Sequence, residues 1–352
     1  MVYTASADSE YKVFLPPRDF VGYGLEKPKG DVWPKGAKIA VSFVLNYEEG
    51  AEHTVWNGDE HSEPFLNEAN YYRNRAEGKR DMYTESLYDY GIRAGLPRII
   101  RLFQSFSYPF TLWLNSRAIE TSAQYGPILV GMGCDMAAHG NRWITQTELS
   151  GPEEEAAHVR QGIERIQKAS GKQDVPSGWY LGRGSLYSKH VISKVHKEMG
   201  VPLLYCSDSY ADDLPYWVED PLSLDGEEDK GMLMGRKGLI MQVPYGLVNN
   251  DHKFYSKGAG ASTAVDWFNI LKGDFETLYS EGQDGEPKMM TIALHSRLIG
   301  RPGRLAGLKK FLEYITAKDD VWVTTRADIA KHWREKFPYE TVGAQRLAHG
   351  AE

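Results

Sequence analysis

Two adjacent carboxylates, Glu48 and Glu49, follow directly on the apolar run Ile39-Ala-Val-Ser-Phe-Val-Leu45. In such a pair one acid, held by an arginine, stays ionised and can take a proton from water, while its neighbour faces a cation or solvent. His139, in Asp135-Met-Ala-Ala-His-Gly140, also ends an apolar segment, and so does His295 in Ile292-Ala-Leu-His295. An imidazole in that position can act as ligand, acid or base. Arg183 closes a fourth segment, Gly178-Trp-Tyr-Leu-Gly-Arg183, and its planar fork suits a bidentate grip on a carboxylate. Enzymes built on α/β barrels gather their working groups at strand ends of this kind, so the four together point to a catalytic site.

Such residues need a frame, and the chain supplies one. Ile39 to Leu45 is continuously apolar with β-branched residues, the pattern of a strand buried on both faces. Strand patterns recur at Phe110 to Leu114, Gly178 to Leu181, Pro202 to Tyr205, Leu239 to Val243, Met289 to Leu294 and Val321 to Thr325. Helical patterns alternate with them at Pro97 to Phe103, Glu153 to Ala169, Ser188 to Met199, Gly303 to Thr316 and Ala327 to Trp333. Alternation without a composition break predicts an α/β fold with one deformed (β/α) barrel over 36–335. Residues 1–35, rich in Pro, Gly and Tyr, read as an irregular N-terminal arm, and 336–352 as a C-terminal tail. Trp56 to Arg80 and Glu219 to Gly231 are polar insertions expected to be loops at the barrel mouth.

Composition narrows the function classes. With 41% hydrophobic and 25% charged residues in 352, the chain is globular. A net charge of -7 argues against nucleic-acid partners, which need a concentrated basic face. No stretch is apolar enough for a membrane span, and the first residues lack a secretory pattern, so a cytoplasmic location is the expectation. Cys134 and Cys206 are expected to be buried, reduced thiols. No Gly-x-Gly-x-x-Gly follows the first strand, which disfavours a dinucleotide fold. A small-molecule or oligosaccharide substrate is left, and a homo-oligomer stays open.

The longer motifs, Phe43-Val-Leu-Asn-Tyr-Glu-Glu-Gly50, Ala138-His-Gly-Asn-Arg-Trp143, Gly178-Trp-Tyr180 with Gly182-Arg183, Ser207 to Trp217 and Leu294 to Arg304, resemble one branch of the NodB-homology polysaccharide deacetylases. That branch holds uric-acid-pathway allantoinases and fission-yeast-type chitin deacetylases. The resemblance implies hydrolysis of an amide. It makes Glu48 the acid that activates water, oriented by Arg183, and His295 the acid for the leaving group. It makes Glu49 and His139 metal ligands. The family's second metal-binding histidine, four residues after the first, is here Trp143, whose indole cannot ligate. His53 or His61 could complete a zinc site, which wants three protein ligands. Without a metal, as the branch's allantoinases are held to work, Arg183, His139 and backbone donors would stabilise the oxyanion. Trp217, Tyr245, Trp143, Arg297 and Arg301 are the substrate-binding candidates. Deacetylation of N-acetylglucosamine in chitin-type oligomers is the leading expectation, with allantoin or another cyclic amide as the alternative, and an inactive glycan-binding protein as a third.

Overall fold

The computed structural model describes residues 9–16, 18–64, 68, 80–222, 239–255 and 260–339. Its organising strand is β1 (Ile39–Tyr47), nine residues buried throughout. One edge of β1 pairs in parallel with β8 (Lys288–His295) over Ile39 to Asn46. The other edge is shared: β9 (Val321–Thr324) takes Ile39 to Ser42 and β2 (Thr111–Leu114) takes Val44 to Tyr47. From β2 the sheet runs through β3 (Asp135–Ala138), β4 (Gly178–Trp179), β5 (Tyr205–Cys206) and β7 (Leu239–Gln242), all parallel, to β6 (Tyr216–Glu219), which is antiparallel. Beyond β8, Asn250 makes a parallel bridge to Ala293. The result is a mixed sheet curled into a half-barrel with helices outside, the deformed (β/α) barrel that the strand and helix alternation predicts.

The pleat sorts side chains into two cores. Ile39, Val41, Phe43, Leu45 and Tyr47 of β1 join the cluster under the outer helices, whereas Ala40 and Val44 join the interior cluster. On β8, Ile292 and Leu294 face out and Ala293 faces in. Inside the barrel the buried Arg326 donates to Ser207 Oγ (3.1 Å), Thr291 Oγ1 (2.8 Å) and the Pro244 carbonyl (2.7 Å), so that one guanidinium ties several strands together.

Outside lie α1 (Met82–Tyr90) and α2 (Leu96–Phe106), joined by a π-helical turn at Gly91–Gly95, then α3 (Ser116–Thr121), α4 (Gly126–Gly131), α5 (Pro152–Ser170), α6 (Ser188–Met199), α7 (Ala264–Gln283), α8 (Pro302–Thr316) and α9 (Arg326–Lys336). Glu153, Glu154 and Glu155 in the first turn of α5 and Lys168 in its last match the helix dipole, and Gly171, at φ 70°, ends it. No described helix is long and apolar enough to cross a membrane. Ahead of β1, Trp33 Nε1 donates to the Lys288 carbonyl (2.8 Å) and Tyr23 to that of Pro215 (2.7 Å), which pins the arm to the barrel. Of the expected mouth loops, 65–67, 69–79 and 223–231 lie outside the described residues, as does the tail from 340. Cys134 and Cys206 are free, and burial pushes the Cys134 thiol up to about 12.

The turn after β8 is set by a backbone-to-backbone contact. A Cβ on Gly95 would overlap the Ser296 carbonyl, and one on Gly300 would overlap Gly95. Gly95→Ala should therefore push the Ser296–Gly300 turn off the π-helical turn and cost ~1–3 kcal/mol, the usual range for overpacking. Urea unfolding measures this, and an unchanged midpoint would contradict the packing described.

Candidate active site

Alternation along β1 continues past its last residue and sends the two acids to opposite faces. Glu48 turns into the barrel and Glu49 toward the helices, where its carboxylate lies against Gly91 at a distance no side chain would permit. The turn after β8 reconnects them. Arg297 donates Nη1 to Glu48 Oε2 (2.7 Å), its backbone N–H to Glu49 Oε1 (2.9 Å), and Nη1 lies 3.5 Å from that same Glu49 oxygen. The other Glu48 oxygen, Oε1, is 3.4 Å from Nε2 of His139 and 3.4 Å from Nε2 of His295. Three side chains, Arg297, His139 and His295, thus converge on one carboxylate.

Each imidazole is held from behind. His139 Nδ1 donates to the Tyr180 carbonyl (2.6 Å), since a carbonyl only accepts, and its ring stacks on that of Tyr180 with centroids 5.2 Å apart. His295 Nδ1 donates to Asp251 Oδ1 (2.6 Å), while Asp251 Oδ2 accepts the backbone N–H groups of His295 (2.8 Å) and Ile299 (3.1 Å). Asp251 reaches this place through the neighbouring bridge of Asn250 to Ala293. The ring of His252 stacks on that of His295 at 4.0 Å.

These neighbours set the charges. Burial alone would push the Glu48 carboxyl up, but the charges of His295 and Arg297 and hydrogen bonds from both imidazoles outweigh it and hold the group well below the usual carboxylate range. Burial lowers His295, yet Glu48 and Asp251 together raise it to about 9. Burial dominates at Glu49, so its carboxyl is raised despite Arg297. His252, desolvated and facing the charges of His295 and Arg297, is driven well below the ordinary histidine value. The site at neutral pH therefore holds an ionised Glu48 beside an imidazolium at His295 and a neutral His252.

Several expectations from the sequence need correction. The arginine that grips Glu48 is Arg297 and not Arg183, because the turn after β8 passes directly over the end of β1; Arg183 instead lies over the ring of Trp143 at 4.2 Å. Trp217 is no mouth wall: it is buried in β6, its Nε1 donates to the Phe337 carbonyl (3.1 Å), and Arg334 covers its ring. Tyr245 is buried with Trp113 and Tyr180 and accepts from Asn250 (2.8 Å). Arg301 stacks on Tyr90 at 3.6 Å, and Arg304 pairs with Glu68 over Phe254, both away from Glu48. Asp251 and His252 were not anticipated, since a polar stretch such as Asn249-Asn250-Asp251-His252 carries no strand signal until β8 supplies the pairing.

The resemblance to the NodB-homology deacetylases implies a divalent metal. The proposed ligands do not assemble into a set here: His139 approaches Glu48, Glu49 is engaged by Arg297 on the other face, and Trp143 stands where a second histidine would. His53 is taken up by Asp59 (3.5 Å) and Glu148 (3.3 Å) and lies against His61. Among the described residues no group of three or more His, Cys, Asp or Glu is placed to hold a metal ion.

With this geometry in view, the polysaccharide deacetylase family model matches residues 78–203, which span His139, Trp143 and Arg183. A Schizosaccharomyces pombe protein classed as a polysaccharide deacetylase is 42% identical over 329 residues, 92% of this chain and 98% of its own length. The chain belongs to the polysaccharide deacetylase family. Two solved structures share its fold closely: PuuE allantoinase, with a TM-score of 0.78 and 39% identity over 93% of this chain and 100% of that one, and a Pseudomonas aeruginosa protein classed as a polysaccharide deacetylase, with 0.79 and 37% over 92% and 99%. In this family member, as in any buried ion pair, the partners reveal themselves by titration. His295 should titrate near 9, and Asp251→Asn should bring it down toward the ordinary histidine value. Because the folded value is raised, the stability His295 contributes is complete below ~6.5 and is lost as pH rises through about 9. Histidine NMR checks this, and an ordinary value in the unaltered protein would contradict the arrangement.

Proposed function

We propose that the chain hydrolyses a carbon–nitrogen amide bond in a small cyclic ureide of the allantoin type. The observation that carries this reading is the enclosure of the cluster: Glu48 is 2% exposed, His139 6%, His295 1% and Arg297 2%. A polymeric glycan needs an open groove along its length, whereas a small ureide can be surrounded. The likeness to PuuE allantoinase over nearly the whole of both chains supports the same substrate class. Deacetylation of N-acetylglucosamine oligomers is the second reading, favoured by the 42% identity to the S. pombe protein, and it would use the same groups.

In the proposed reaction Glu48 activates the water. His139, held through Nδ1 by the Tyr180 carbonyl, keeps Nε2 beside Glu48 Oε1 and fixes that oxygen, so the water donates a proton to Glu48 and turns its own lone pair to the amide carbon. Glu48 takes a proton as the carbon–oxygen bond forms. The positive charges of Arg297 and His295 favour the oxyanion that results. As the carbon–nitrogen bond breaks, the electron pair goes to nitrogen and His295 Nε2 supplies its proton. The proton on Glu48 then restores the imidazolium. For a cyclic ureide the product is a ring-opened carboxylate, and for an acetamide it is acetate and a free amine. No step calls on a metal, since Arg297 already provides the cation next to Glu48.

Activity should hold from mildly acidic pH to about 9 and fall above it as His295 loses its proton. Glu48→Gln should lower turnover by ~10²-fold or more, the usual effect of removing a general base. Assays with allantoin and with N-acetylglucosamine oligomers, each with and without EDTA, test the reading. Ring opening of allantoin that is insensitive to EDTA is expected. Deacetylation of the oligomers with no action on allantoin would establish the second reading, and full activity in Glu48→Gln would overturn both.

A further inference from the structure

We infer that Trp143 is the positioning residue for Arg297, its indole doing for a guanidinium what a ligand does for a metal ion. The proposal rests on the hydrolase reading of the site and goes beyond it in naming what fixes the charge next to Glu48.

The geometry begins with an imbalance at Arg297. The side chain is buried, yet only Nη1 finds a carboxylate; Nε and Nη2 are buried with no hydrogen-bond partner among the described residues. One hydrogen bond leaves a planar fork free to swing about that contact. What surrounds the remaining atoms is aromatic. The guanidinium carbon lies 5.0 Å from the Trp143 ring centre and 4.9 Å from that of Tyr88, and the two rings, 6.1 Å apart and inclined at 56°, form a notch around it. Attraction of a cation to a ring face strengthens where water is excluded, so the notch both offsets part of the cost of burial and restricts the tilt of the fork.

Trp143 is placed for this role. Its backbone N–H donates to the Ala51 carbonyl (3.0 Å), and Arg142 beside it donates to the Ala51 and Glu52 carbonyls (3.0 Å each). The ring is thereby clipped to the same loop that carries Glu48 and Glu49. A second guanidinium, that of Arg183, lies over the ring at 4.2 Å, so one indole gathers two cations near a buried carboxylate. Leucine or methionine would fill the space without a negative ring face, and histidine would bring a group that can itself be protonated.

The test compares Trp143→Met, Trp143→Phe and the unaltered full-length protein by the side-chain Nε–Hε NMR signals of the arginines, assigned with Arg297→Lys and Arg183→Lys. Ring currents should displace the Arg297 and Arg183 signals upfield in the unaltered protein. Trp143→Met should lose both displacements together and lower kcat by about 10²-fold with KM within about threefold, as expected for a misaligned group next to the base. Trp143→Phe should recover most of the displacement and of kcat. Should Trp143→Met fail to fold, ring-fluorinated tryptophans placed at 143 keep the shape and weaken the negative face, and kcat should fall stepwise with fluorination. Unmoved arginine signals in Trp143→Met, or constant kcat across the fluorinated series, would overturn the proposal. The NMR signals need no substrate, so a protein inert toward allantoin and chitin oligomers would count against the hydrolase reading alone.

Discussion

The site depends on one buried guanidinium. Arg297 meets Glu48 from the barrel side and Glu49 from the helix side, bridging two acids that the pleat of β1 has turned apart. Burying a lone carboxylate next to a second one would be costly, and the group would take up a proton instead. With Arg297 in place, Glu48 remains ionised while Glu49, where desolvation prevails, is raised. The second pair follows from the first: an ionised Glu48 and Asp251 keep His295 protonated to about 9. An ionised Glu48 then lies between the Arg297 guanidinium and the His295 imidazolium in a volume from which solvent is largely excluded, as the proposed base and acid require.

That arrangement is delivered by the packing of glycines rather than by the site residues themselves. The Ser296–Gly300 turn can lie over the end of β1 only because Gly95 and Gly300 meet without side chains, and Glu49 can turn toward the helices only because Gly91 leaves room. The π-helical turn at Gly91–Gly95, between α1 and α2, brings two of these glycines to the contact. A local departure from α-helical geometry thus has its consequence at the carboxylates.

Much of the fold is legible in the sequence, because doubly buried parallel strands are continuous apolar runs and amphipathic helices have a strong period. The expected α6 coincides with Ser188–Met199, and β1 and β8 differ from expectation by one or two residues at an end. Helix α7 is not anticipated: its start is marked by the Thr263–Asp266 capping box, but Gly273 and Gly282 blur the pattern, and Gly282 is required because a Cβ would overlap the Lys38 carbonyl. Strands β4 and β5 shrink to two residues each, since barrel curvature limits how long neighbours stay in register. At the site, Glu48, His139 and His295, singled out by strand-end position, lie together. Which arginine reaches Glu48 depends on the path of a turn, and no local pattern encodes that. Trp217 has the composition of a binding wall, but the interior of the barrel claims it.

Family membership sets the chemistry expected of the chain, and the residues at the site adapt it. In the resemblance to the NodB-homology enzymes, Glu49 and His139 serve a metal while Glu48 and His295 move protons; here the Arg297 guanidinium contacts both acids. The most direct measurement of that claim is a double-mutant cycle of Glu48→Gln and Arg297→Met read by urea unfolding at neutral pH. Removing Arg297 alone takes from a buried carboxylate its directly hydrogen-bonded cation and should cost ~3–5 kcal/mol, whereas the double variant should regain ~2 kcal/mol or more of that loss. If the two substitutions simply add, the Arg297–Glu48 pair does not hold the site together and the account fails.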